Sequence, residues 1–185
     1  TYSETGFFDE TEPKKISHEL GNHWLFKSLD NGLSLFLLDD CVRINGGIVT
    51  NYGPAQVLDI LQYLDKESLG LIHTGMIGDK IIGSWCNSEN LNDSFKVGEG
   101  AYSKILLKKF IKLYNIEAFT NYENREIGML YTRGFGGANR GAPLIFQEYS
   151  ESFSPFYDQD FLNFSYTLPI DMKYGHKLYY KWVAL

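Results

Sequence analysis

Hydrophobic and polar positions along the chain switch repeatedly between a two-residue and a 3.6-residue rhythm. "LSLFLLDDCVRI" (33–44) is apolar before Asp39 and Asp40 and predicts a first strand. "GPAQVLDILQYLDKES" (53–68) places Val57, Leu61 and Leu64 on one face behind Pro54, which predicts a helix. "LGLIHTGMI" and "KIIGSWCNS" are two apolar runs joined by "GDK", a hairpin signal centred on Gly78-Asp79. "NDSFKV" (92–97) predicts another short strand. After "GEGAYS", the stripe Leu106, Phe110 and Leu113 predicts a helix whose remaining positions are largely lysine. "IEAFTNY" (116–122) then predicts a strand, and "NREIGMLYTRG" an amphipathic helix capped by Asn124 and stopped at Gly134.

The stretch from Gly136 to Pro143 reads as a Gly-rich loop. Residues 144–174 are aromatic and follow no clean period, and "KLYYKWVAL" predicts a closing strand. Residues 1–20 are polar, broken by Gly6 and Pro13, and read as an arm. The remainder, 21–185, reads as one domain with an aromatic-rich insertion at about 136–174. The alternating order predicts an α/β (α+β) fold with a mixed sheet.

Composition narrows the functions this pattern can serve. The chain has 185 residues, 17 basic and 23 acidic, for a net charge of −6. So acidic a chain lacks the electrostatic footprint of a nucleic-acid binder. Its one local basic group is Lys104, Lys108, Lys109 and Lys112. No apolar run reaches membrane-spanning length, and no signal-peptide pattern precedes the first element. A chain numbered from Thr1 fits removal of an initiator Met. Cys41 and Cys86 stand far apart, outside any metal or redox spacing, which suits a reducing, cytoplasmic compartment and gives no metal framework. Aromatic residues make up 16% of the chain, with 13 Tyr and 13 Phe, enough for a core and a contact surface together.

The glycine turn before the middle helix, followed by Asn124, Ile127, Leu130-Tyr131 and Gly134-Phe135 on the next, resembles the GCN5-related N-acetyltransferase (GNAT) superfamily. The resemblance covers about residues 33–135 and the final strand. It implies a mostly antiparallel central sheet flanked by helices and splayed around acetyl-CoA. The coenzyme would lie on Val97, Gly98, Gly100, Ala101, Tyr102, Ser103 and Asn124, with Lys104 or Lys108 reaching an outer phosphate. The physical logic of that turn is independent of ancestry: glycines let backbone amides approach a diphosphate, and a helix N-terminus adds partial positive charge. Tyr131 would be the general acid protonating the departing thiolate while an amine acceptor attacks the thioester directly.

The pattern also departs from the family. Phe95 stands where the loop usually carries Gln or Arg, Ile127 replaces a small residue, and Tyr131 to Gly134 is one residue short. Glu89, Asp93 and His73 lie near the place of a general base, but none sits in a motif. "HELGNH" sets His18 and His23 five apart, on different faces of a helix, so they do not form a metalloprotease pair. Two readings follow. One is an acetyl-CoA-dependent N-acetyltransferase. The other is a structural or interaction protein that kept the fold and lost the chemistry, meeting a partner through the arm and residues 144–166. A composition rich in Asn, Lys, Ile, Phe and Tyr resembles, in style, internal or neck proteins of phage virions.

Overall fold

A computed structural model describes residues 1–48, 51–86, 103–113, 124–135 and 137–185. It overturns the expected central sheet: of the described residues 62% are helical and only 5% are in strands. Among the described residues the strands are β1 (Tyr2–Ser3) paired with β2 (Lys27–Ser28), and β3 (Ile72–His73) paired with β4 (Ser152–Phe153), both parallel and two residues long. The expected strands 92–97 and 116–122 lie outside the described residues.

The chain divides into two compact units. The first comprises Thr1–Thr74 and Gly137–Phe153. It begins with β1 and α1 (Phe8–Glu19), a helix with no buried residue, so the expected arm is helical from Phe8 onward. The expected first strand is instead a 3-10 turn, Leu33–Leu37, running into α2 (Leu38–Asn45). The reason lies in its polar positions. Asp39 and Asp40 occupy the first turn and Arg43 the last, matching the helix dipole, and Gly46 ends the helix at φ +63°. Cys41 and Asn45 then fall four apart on the buried face.

Helix α3 (Gly53–Leu61) forms within the expected 53–68, with Pro54 in its first turn, but ends before Leu64. It packs against the 3-10 turn and against α6 (Gly141–Gln147). Together they close a core of Cys41, Ala55, Val57, Leu58, Leu61 and Ile145. Helix α6 opens the segment that showed no period. Its neighbour β4 holds β3 through Ile72 N–H to the Glu151 carbonyl, 2.8 Å, and Thr74 N–H to the Phe153 carbonyl, 2.8 Å.

The second unit comprises Gly75–Gly136 and Ser154–Leu185. The second run of the expected hairpin forms a wide helical turn, Lys80–Ser84, interrupted at Gly83. Helix α4 (Lys104–Leu113) and helix α5 (Arg125–Met129), which continues into a turn over Leu130–Gly134, stand where the periodicity puts them. Residues 155–185 are largely helical: α7 (Gln159–Thr167), α8 (Ile170–Lys173) and α9 (Lys177–Val183). Asp158 caps α7 by accepting the Phe161 N–H at 2.9 Å, and Pro169 separates α7 from α8. The expected closing strand is therefore helix α9. Leu178, Tyr179 and Trp182 all line one cavity, as neighbouring positions of a helix can, whereas a strand would turn Tyr179 to the opposite face. The core of this unit is Ile77, Ile81, Trp85, Met129, Leu130 and Leu162.

Candidate functional site

Chemistry-bearing side chains of the second unit gather around Lys173. This lysine is 1% exposed, and its ammonium meets Glu126, 4% exposed, at 2.6 Å. It also donates to the Ser165 carbonyl at 3.2 Å and lies 5.6 Å from the Tyr166 ring centroid. The other Glu126 oxygen accepts the Cys86 thiol at 3.5 Å. Next to it, Arg125 Nε donates to the Trp85 carbonyl at 2.9 Å. Two cations and one carboxylate are thus withdrawn from water on neighbouring elements, each hydrogen-bonded, as buried charge requires. Burial and the adjacent Glu126 carboxylate also raise the Tyr166 phenol above its ordinary range.

Burial, and after it the Glu126 charge, push the Cys86 thiol from 9.0 up to about 12. A thiol held protonated is neither a nucleophile nor a metal ligand at neutral pH. The sign of the pH effect follows. Folding favours the neutral thiol, so its contribution is complete below pH 9, where the unfolded thiol is also protonated. It is lost as pH rises from 9 toward about 12. Iodoacetamide at pH 8, mapped by peptide mass, is expected to modify Cys86 slowly in the folded protein and rapidly in urea. Equal rates would contradict the assignment.

Two cavities lie in this unit, the first adjoining the network through Lys173 and Ser165. One, of about 390 Å3, is walled by Ile81, Ile82, Phe156, Phe161, Leu178 and Trp182 among others, with Lys173 and Ser165 also contributing. The other, of about 330 Å3, includes Gly78, Asp79, His176 and Tyr180. They share Ile82, Phe156 and Tyr179. Near the second, Ser84 Oγ lies 3.0 Å from His176 Nε2 and 3.4 Å from an Asp79 carboxylate oxygen. Asp79 is also ion-paired with Lys80.

Of the residues expected to hold acetyl-CoA, only Ser103 and Asn124 fall among the described residues. Val97, Gly98, Gly100, Ala101 and Tyr102 lie outside the described residues, as do Glu89 and Asp93. Ser103 Oγ accepts the Leu106 N–H at 3.2 Å, capping α4 with one of the donors a phosphate would need. Asn124 caps α5 as its position predicts: its side-chain oxygen accepts from Glu126 and Ile127 backbone N–H at 2.8 and 3.4 Å. Tyr131 is 56% exposed. Its ring is 5.9 Å from Phe135, which stacks on Tyr157 at 5.5 Å.

No protein family, curated protein or solved structure matches this chain. The site therefore has to be read from its own residues. Sequence reasoning missed Lys173, Glu126, Ser84 and His176 because their pairing spans gaps in sequence that no spacing rule reaches. One signal was available: Gly83-Ser84 and Gly175-His176 each set a glycine before a side chain able to do chemistry.

Proposed function

We propose that the chain is a binding protein that docks a protein partner through its C-terminal aromatic helix, the interaction reading without the sheet fold first attached to it. The observation that carries this is α9, which buries none of its residues. Tyr180 and Val183 are exposed, and Trp182 is 69% exposed. A helix earns little stability from such a face in water, so exposed aromatics of this size mark a contact surface. Lys177 and Lys181 are the charged residues of the helix, and no acid accompanies them, so the face complements an acidic partner. Helix α1, also without buried residues, offers Phe8 and Ile16 in the first unit as a further contact. No described helix is long and apolar enough to cross a membrane. We place the protein in the cytoplasm, or in a virion assembled there, and both described cysteines are free, in keeping with that compartment.

Two measurements test the reading. Tyr180→Ala and Trp182→Ala are expected to change unfolding free energy by no more than about 0.5 kcal/mol each, because surface aromatics that serve a partner contribute little to the fold. A loss above about 1.5 kcal/mol would assign them to folding instead. Excess acetyl-CoA is expected to leave the melting temperature unchanged. A rise of roughly 5–10 °C, the effect of a ligand at about a hundred times its dissociation constant, would restore the transferase reading.

A further inference from the structure

We propose that Ser84 and His176 form a nucleophile–base pair that hydrolyses carboxylic esters with an apolar acyl group, an activity separate from partner docking. The 3.0 Å contact between Ser84 Oγ and His176 Nε2 is the distance at which an imidazole takes a hydroxyl proton. Both residues are brought there by unusual backbone. Gly83 has φ +141°, and a Cβ on it would lie 2.3 Å from the Lys173 carbonyl oxygen. The chain therefore turns hard against a fixed wall and leaves Ser84 exposed on the outside of the turn. His176 has φ +58°, following Gly175 at +65°. Left-handed backbone at a non-glycine residue is strained, and an exposed Ser–His bond returns little stability to offset that strain. A non-glycine residue held in left-handed backbone at an exposed polar contact marks a candidate functional site.

The surroundings supply the substrate class. His176 lines the 330 Å3 cavity, and the adjoining 390 Å3 cavity offers Ile81, Ile82, Phe161 and Leu178 to an apolar chain. Asp79, paired with Lys80, accepts a long 3.4 Å hydrogen bond from Ser84 Oγ and holds the hydroxyl near His176. The carboxylate stands beside the serine and not behind the imidazole, so this pair differs from a Ser-His-Asp triad. In the reaction, Ser84 Oγ bonds to the ester carbonyl carbon as its proton passes to His176 Nε2. The ester C–O bond then breaks, and the departing alkoxide takes that proton. Water next gives a proton to the same nitrogen and attacks the acyl-serine, releasing the carboxylic acid and returning the proton to Ser84.

An alkyl fluorophosphonate tests the pair without knowledge of the natural substrate. Ser84 Oγ displaces fluoride at phosphorus, and peptide mass is expected to show one adduct on Ser84 in the full-length protein. The adduct is lost in His176→Gln. p-Nitrophenyl hexanoate is expected to be cleaved about tenfold faster than p-nitrophenyl acetate, because the longer chain reaches apolar walls. Ser84→Ala, judged folded by its unchanged melting temperature, lowers the hexanoate rate at least about 100-fold. An unlabelled Ser84 in the wild-type protein overturns the proposal, whether or not the variants fold. So does hexanoate hydrolysis that survives Ser84→Ala.

Discussion

Replacing Lys173 with Met is expected to lower the unfolding free energy by about 3–5 kcal/mol, the cost of leaving a buried charge without its partner. The partner is Glu126, 2.6 Å away, and both side chains are almost fully removed from water. In the variant Glu126 keeps the Cys86 thiol as a donor but loses the ammonium. Glu126→Gln should cost a comparable amount, because it strands the lysine. The double variant Lys173→Met/Glu126→Gln removes both charges and should return to within about 1–2 kcal/mol of the wild type. Urea midpoints at constant m-value measure all three. Additive losses in the double variant would show that the two charges do not interact across this core.

That ion pair also explains why so much of the second unit was hidden in the sequence. Helices with a dominant local signal were legible. Val57 and Leu61 marked α3, and Asn124 before an apolar repeat marked α5. Elsewhere local pattern and tertiary placement disagreed. "LSLFLL" reads as a strand because its apolar residues are contiguous, yet the dipole-matched Asp39, Asp40 and Arg43 and the left-handed Gly46 make the following segment helical. "KLYYKWV" reads as a strand because aromatics favour sheets, but no sheet edge receives it among the described residues, and an isolated strand leaves its ladder unpaired. The resemblance to acetyltransferases rested on two helices and a glycine turn. The helices are present, and the described residues contain no central sheet; the strand expected between the helices lies outside them. Capping and amphipathicity of that kind occur in many folds, so they do not by themselves fix one. Lys173 was unreadable for a different reason. Lysine is rarely buried, and only the arrival of Glu126 from a segment 47 residues away makes its burial tolerable.

Gly83→Ala is expected to be the most damaging single methyl among the described glycines of the second unit, at about 2–6 kcal/mol. Two costs combine. An L-residue at φ +141°, ψ −13° carries roughly 1–3 kcal/mol of backbone strain. The new Cβ also meets the Lys173 carbonyl oxygen at 2.3 Å, and that atom is backbone and not the end of a flexible side chain. Overpacking against such a wall adds about 1–3 kcal/mol. Gly175→Ala is the matched control. It has positive φ as well, +65°, but nothing within 4 Å of a built Cβ, so only the conformational cost of about 1–2 kcal/mol applies. The difference between the two variants isolates the close approach of the Lys80–Ser84 turn to Lys173. Equal losses would mean that the contact is absent in solution. A much larger loss at Gly83 fixes that turn against the residue that carries the buried charge, and it places Ser84, the next residue along, where His176 can reach it.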